Sequence, residues 1–215
     1  MRIDHRTVGP FEENCYLLAD DETGRAVLID PGDEGERILD MIAAANVSLD
    51  AIWLTHAHVD HIGAVAAVKR RFDVPVYLHP LDLPYYTRLS ARAAEMYGID
   101  FEQPDAPDAE LRDGQALACG TLRFDVMHVP GHAPGLVAFT GHGVSFGGDL
   151  LFAGSIGRTD LPLGDPSDMT ASLARYTAAL GDDVVVYPGH GPSTTIGRER
   201  KTNPFLTGAA RLVRR

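Results

Sequence analysis

The sequence predicts an α/β fold, and three observations predict it. Apolar runs of strand length alternate with stretches of helical spacing. Gly, Pro, Asp and Asn punctuate these runs at the positions where turns need them. A His or Asp stands just after an apolar strand four times, at His56, His132, Asp149 and His190, so strand ends gathered at one sheet edge would build a polar site from distant sequence.

With 215 residues, 45% of them hydrophobic, the chain is expected to form a single domain over 1–215, a size ordinary for α/β folds. The net charge of −11 argues against nucleic acid as the main partner, because such binding draws its affinity from phosphate neutralisation. Arg211, Arg214 and Arg215 form a short basic end that reads as a solvated helix terminus. Cys15 and Cys119 lack the close spacing of a structural zinc site and read as reduced core or strand residues. Met1–His5 has no apolar signal region, and no apolar run reaches the roughly 18 residues of a membrane span, so a cytoplasmic protein is expected.

Strands are expected at Arg2–Val8, Cys15–Ala19 and Arg25–Asp30, the last two joined by the turn Asp20–Gly24. Asp30 either accepts hydrogen bonds that hold the neighbouring polar stretch or caps its own turn. Glu34–Ala45 carries Ile38, Leu39, Met41, Ile42 and Ala45 at helical spacing, with Asn46 ending the helix. Leu49–Leu54 is a strand, and Ile62–Phe72 a helix with Val65 and Val68 inward and Lys69, Arg70 and Arg71 in water. Pro75–Leu78 gives a strand ending at His79, and Tyr86–Tyr97 a helix followed by an acidic, Pro-rich loop through Asp105 and Pro107. Tyr85, Tyr86 and Tyr97 either pack the core or line a pocket. Further strands are expected at Gln115–Ala118, Thr121–Val129, Gly135–Thr140, Gly143–Gly147 and Val184–Tyr187. Between the last two lies an amphipathic helix, Ser167–Leu180, with Ser167 as cap and Gly181 as stop.

The chemistry concentrates in Trp53-Leu54-Thr55-His56-Ala57-His58-Val59-Asp60-His61-Ile62-Gly63. Imidazoles and carboxylates buried without partners cost several kcal/mol each, so this cluster needs a common partner, and a divalent cation accepts both donor types. A loop leaving the strand can turn His56 and His58 one way and Asp60 and His61 another, which fits two adjacent ions better than one.

Taken with Pro130-Gly131-His132, Gly148-Asp149 and Pro188-Gly189-His190, this stretch resembles the metallo-β-lactamase superfamily in motif, order and separation. The resemblance implies a four-layer αββα sandwich with two divalent metal ions along one edge. His56, His58 and His132 would hold the first, Asp60, His61 and His190 the second, and Asp149 would bridge them. Zinc suits this set, while iron and manganese are also accepted. His5, His79, His128 and His142 are left with structural roles.

Phe152–Pro162 and Thr195–Phe205 resemble the short bacterial type II glyoxalase-like hydrolases of that superfamily. This implies a small-molecule thioester substrate, S-lactoylglutathione or a related hydroxyacyl thioester. A hydroxide shared by the metals would attack, oriented by Asp60, and a thiolate leaving group of pKa about 8.5 needs no strong acid. Arg158 suits a substrate carboxylate or, equally, a loop ion pair with Asp160 or Asp165. Several positions depart from the longer glyoxalase II enzymes. The chain stops soon after Asn203-Pro204, Arg158 and Asp160 replace a Lys and a Tyr, Gly191-Pro192 replaces Glu-Tyr, and Ala133 replaces a hydroxyl-bearing residue after His132. The rival reading is the iron-dependent persulfide dioxygenase branch, which would use His56, His132 and Asp149 around one iron. A module that kept the fold and lost activity would show missing ligands, and none is missing.

Overall fold

Every residue of the strand Glu13–Ala19 is buried, because the strand lies between two apolar layers. Cys15, Leu17 and Ala19 join one core, and Tyr16 and Leu18 join another. The same division runs through the rest of the computed structural model, which describes residues 1–212. Of the basic end, Arg211 is exposed, and Arg214 and Arg215 lie outside the described residues.

The first half contains β1 (Arg2–Val8), β2 (Glu13–Ala19), β3 (Arg25–Ile29), α1 (Gly35–Ala45), β4 (Ser48–Trp53), α2 (Val59–Ile62), α3 (Val65–Arg71), β5 (Val76–Leu78), α4 (Leu83–Tyr86), α5 (Leu89–Tyr97) and β6 (Ala109–Glu110). Its sheet runs β1-β2-β3-β4-β5-β6, antiparallel to β3 and parallel beyond it. The second half contains β7 (Ala116–Cys119), β8 (Leu122–His128), β9 (Val137–Gly141), β10 (Val144–Gly148), β11 (Leu151–Phe152), β12 (Ser155–Ile156), α6 (Pro166–Ala179), β13 (Val185–Pro188), β14 (Thr194–Thr195), α7 (Ile196–Thr202) and α8 (Pro204–Thr207). Its sheet runs β14-β13-β10-β9-β8-β7, with β10 and β13 parallel.

Three cores make the four layers. Ile38, Met41 and Ile42 of α1, Val65 and Val68 of α3 and Leu89 of α5 cover the outer face of the first sheet. Trp53, Val27 and Ile29 meet Phe124, Phe139 and Phe146 between the sheets. Met169, Leu173 and Tyr176 of α6 cover the second sheet. The strict alternation of β8 follows from this placement: Leu122, Phe124 and Val126 are buried while Arg123 and Asp125 are exposed. The expected αββα sandwich is the observed architecture.

Local differences have local causes. The helix expected over Ile62–Phe72 breaks between α2 and α3, because the Ala64 amide donates to Pro31 O at 3.0 Å instead of continuing a helix. Gly63 permits the approach, since a Cβ there would lie 2.4 Å from Gly32 O. The helix expected at Tyr86–Tyr97 is likewise two, α4 and α5. α6 is capped by Asp165 rather than Ser167: its carboxylate accepts from the amides of Ser167 and Asp168 at 2.6 and 3.1 Å. Pro166, which has no N–H to satisfy, takes the first helical position.

Trp53 packs edge-on to Phe124 at 6.0 Å and lies 5.3 Å from Phe139. Phe124→Ala is therefore expected to cost about 3–5 kcal/mol through loss of apolar burial and the cavity left between the sheets. Urea denaturation measures it, and a loss below about 1 kcal/mol would mean that this core is not close-packed.

Candidate metal centre

The centre is built on the ends of strands. β3 ends at Ile29, and Asp30 takes a left-handed φ of 49°, a conformation Asp tolerates better than most residues. Its carboxylate accepts from the Thr55 amide at 2.7 Å and the Thr55 hydroxyl at 2.5 Å, and faces His61 Nδ1 at 3.0 Å. Asp30 thus holds the stretch that follows β4, the role that sequence left undecided against a simple turn cap.

The chain then returns to this edge three times, after β8, β10 and β13. Two sets of donors gather there, His56, His58 and His132, and Asp60, His61 and His190, and within each set the donor atoms lie within 4.8 Å of one another. Asp149 stands between them. Its oxygens are 3.3 Å from His132 Nε2 and 3.5 Å from both His61 Nε2 and His190 Nε2. Asp60 Oδ2 is 3.3 Å from His190 Nε2. A third set, Asp30, His56 and His61, is also compact, but both Asp30 oxygens already accept from Thr55. Gly189 lets two of the loops meet, because a Cβ there would fall 2.2 Å from Asp149 Oδ1.

Hydrogen bonds on the outer nitrogens fix how the imidazoles face inward. His132 Nδ1 lies 2.7 Å from Arg158 O and His190 Nδ1 lies 3.0 Å from Phe11 O, so each Nδ1 carries the proton and each Nε2 a lone pair. The Thr55 hydroxyl gives its proton to Asp30 and can accept from His56 Nδ1 at 3.1 Å. His58 Nδ1 and His132 Nε2 then approach each other to 2.8 Å.

This leaves His56 Nε2, His61 Nε2 and Asp149 Oδ1 buried without a hydrogen-bond partner. Such atoms are costly unless something satisfies them together, and a divalent cation does so. The donor set fits the group. Electrostatics agree: burial and the neighbouring imidazoles hold His56 and His58 well below the usual imidazole range, and burial also lowers His132. All three stay neutral, the form that binds metal. Burial pulls His61 down too, but Asp149, Asp60 and Asp30 outweigh it and raise it to about 9. Burial raises Glu13 well above the carboxylate range, assisted by Asp30, Asp60 and Asp149. Crowded carboxylates of this kind call for positive charge.

Residues 8–190 match the family described as the metallo-beta-lactamase superfamily. The chain belongs to that superfamily. Its members bind divalent metals, and the His and Asp groupings here could hold such ions. Hydroxyacylglutathione hydrolase GloC of Haemophilus influenzae is 37% identical over 209 residues, covering 96% of this chain and 98% of that protein. Among solved structures, TTHA1623 in a di-iron-bound form has a TM-score of 0.87 at 47% identity, covering 94% of this chain and 100% of that one. ETHE1 from Myxococcus xanthus has a TM-score of 0.80 at 30% identity, covering 97% of this chain and 85% of that one.

In this member of the superfamily, a cavity of about 370 Å³ opens over the centre, reaching Asp60, Asp149, His58, His132 and His190. Phe11, Tyr97, Phe152, Ile156 and Leu161 give it apolar walls. Of the three tyrosines, Tyr85 and Tyr86 are core residues, whereas Tyr97 is 40% exposed on the cavity wall. Arg158 lines the cavity with its guanidinium bidentate on Asp160, at 2.6 and 2.9 Å, which is the loop ion pair weighed against substrate contact. Its carbonyl, rather than its charge, reaches the centre through His132, and that support stands where Ala133 offers no hydroxyl. His79 accepts from the Leu81 amide and stacks on His128, as a structural residue would.

Four contributors had no assigned role from sequence. Glu13 lies beneath the centre with His61 Nδ1 at 3.8 Å, in a strand that otherwise reads as core. Glu199, inside the Thr195–Phe205 stretch, is buried and accepts from the Gly154 amide at 2.8 Å, the Thr194 hydroxyl at 2.5 Å and Asn203 Nδ2 at 2.9 Å. With Asn203, which donates to Ser155 O at 2.9 Å, it braces the β11–β12 hairpin that walls the cavity. Asp82 accepts from the Ala57 amide at 3.0 Å and the Gly135 amide at 2.5 Å, tying the stretch after β4 to the loop after β8. Arg92, on α5, lines the cavity. Of the four, only Glu199 falls in a stretch that the sequence singled out, Thr195–Phe205.

Burial raises the Asp82 carboxyl from 3.8 to about 6, against the two amide hydrogen bonds that lower it. The folded state therefore holds this proton more tightly than the unfolded chain, and its stabilising contribution is lost as pH rises through that interval. Asp82→Asn removes the titration. The stability of the native protein relative to the variant is expected to fall by on the order of 2–3 kcal/mol between about pH 4 and pH 6. Urea denaturation across that range tests this, and a difference that does not change with pH contradicts it.

Proposed function

We propose that this chain is a metal-dependent hydrolase of hydroxyacyl thioesters, with S-lactoylglutathione as the leading candidate substrate. The observation that carries the reading is the set of buried His56, His61 and Asp149 atoms left without partners at the floor of an open cavity. Similarity to GloC over nearly the whole chain supports the substrate class.

In this reading His56, His58 and His132 hold one cation, Asp60, His61 and His190 a second, and Asp149 lies between. Bound divalent cations supply a water acidic enough to attack at neutral pH and polarise the scissile carbonyl. The side chains of the chain do the rest. The Asp60 carboxylate, held ionised well below its usual range by His61 and His190 against the effect of its own burial, accepts a hydrogen bond from the attacking water and orients it. The backbone contacts of His132 and His190 keep the donors from rotating as charge develops. Phe11, Phe152 and Ile156 exclude bulk water around the acyl group. The departing thiolate, of conjugate-acid pKa about 8.5, needs no acid from the protein.

Zinc is the proposed metal, on the strength of an imidazole-rich donor set, although the di-iron-bound form of TTHA1623 gives iron a concrete precedent. The charge of −11 supports a small-molecule substrate over nucleic acid. No helix among the described residues is long and apolar enough to cross a membrane. A cytoplasmic location is part of the proposal, supported by two buried cysteines that form no disulfide.

Elemental analysis of the purified protein together with a thioester panel tests the reading. Two metal ions per chain are expected, with hydrolysis lost on chelation and restored by zinc. Similarity to ETHE1 keeps the one-iron dioxygenase as the second reading. One iron per chain, with oxygen uptake on glutathione persulfide and negligible thioester cleavage, would replace the hydrolase with it. Asp149→Asn is expected to lower kcat by about 100-fold or more and to reduce the metal content below two. Full metal loading and near-native turnover in that variant would remove Asp149 from the centre.

A further inference from the structure

The cavity is lined by two guanidinium groups, and they are in different states. Arg158 is neutralised by Asp160 through two hydrogen bonds. Arg92 has no carboxylate within ion-pair distance among the described residues. Its guanidinium lies 4.1 Å from the centroid of the Tyr85 ring, and its Nη2 reaches the Met96 sulfur at 3.8 Å, a weak acceptor. In a chain of net charge −11, a half-buried arginine left without a carboxylate beside a cavity is notable.

Its position is built rather than incidental. Tyr85 is 2% exposed, and its hydroxyl donates to Pro162 O, so the ring under the guanidinium is tied to the loop that carries Arg158. His58 also meets that ring, with ring centroids 5.3 Å apart. Arg92 therefore stands one aromatic ring away from a candidate metal ligand. Met96 and Tyr97 follow it on α5 and line the same cavity, and Tyr97 meets Phe11 edge-on at 4.9 Å. A planar cation held on an aromatic face at the rim of an apolar wall suits bidentate contact with a carboxylate.

We propose that Arg92 determines substrate specificity by binding a carboxylate of the thioester, so that the enzyme's substrates are anionic thioesters. The assignment rests on the hydrolase reading above. The carboxylate can belong to the acyl half or to the thiol half. Arg158 serves instead as a loop brace, with Asp160 occupying its charge.

Binding of non-hydrolysable thioethers to the metal-loaded enzyme, measured by calorimetry, tests this independently of turnover. Three probes separate the sources: S-propylglutathione carries carboxylates on the thiol half, N-acetyl-S-(3-carboxypropyl)cysteamine carries one on the acyl side, and N-acetyl-S-propylcysteamine carries none. The native enzyme is expected to bind at least one anionic probe about tenfold or more tightly than the neutral one. Arg92→Met should bring that ratio to about threefold or less, and Arg92→Lys should keep part of it, because charge remains and the planar fork is lost. The probe that loses affinity identifies the half that carries the carboxylate. Unchanged melting temperature and metal content in both variants separate a recognition defect from misfolding. Equal binding of all three probes by the native enzyme, or a preference that survives in Arg92→Met, overturns the proposal. Failure of every thioester to be hydrolysed would instead overturn the hydrolase reading while leaving the binding comparison decisive for Arg92.

Discussion

Asp30 accepts two hydrogen bonds from Thr55 and faces His61 Nδ1, and through these contacts it sets the direction in which His56 and His61 present their remaining nitrogens. The rest of the centre depends on that arrangement. With the outer nitrogens engaged, the inner ones point into a space where no protein group answers them. Buried polar atoms without partners are tolerated only where something else satisfies them or function requires them. The two sheets supply the rigidity that keeps these atoms from collapsing toward one another.

The supports come from all along the chain. The carbonyl of Phe11 holds His190, the carbonyl of Arg158 holds His132, and Asp82 ties the backbone beside His56 to the loop after His132. Asn14 and Tyr16 add hydrogen bonds to Pro188 O, which fixes the turn before His190. Each contact joins segments far apart in the chain, at strand ends or in the loops that follow them, so the geometry is a property of the packed sandwich and not of any one loop. Glu199 and Asn203 extend the same principle to the cavity wall through the β11–β12 hairpin.

Charge is distributed with equal economy. Glu13, Asp30, Asp60 and Asp149 crowd the floor of the cavity, where burial and the neighbouring carboxylates raise the Glu13 carboxyl and attraction to Asp149, Asp60 and Asp30 lifts His61 against its burial. At the rim, Arg158 is neutralised by Asp160 while Arg92 is stacked on Tyr85. In the proposed reading, an anionic substrate entering the cavity would meet Arg92 beside the aromatic wall of α5 and Phe11.

The strand and helix order, the alternation of Leu122, Phe124 and Val126 in β8 and the seven candidate metal donors were legible in the sequence, because periodicity and motif spacing are properties of neighbours along the chain. Family resemblance and donor chemistry are what propose their roles as metal donors. Tertiary structure alone decided what touches them. The diversion of the Ala64 amide to Pro31, which splits a helix that looked continuous, has no local signal. Neither does the exposure of Tyr97 beside the burial of Tyr85 and Tyr86, or the placing of Asp82 between two loops. Sequence fixes which groups a chain can offer. Which of them lose water together, and which find a partner, is settled only when strands far apart in the chain are packed edge to edge.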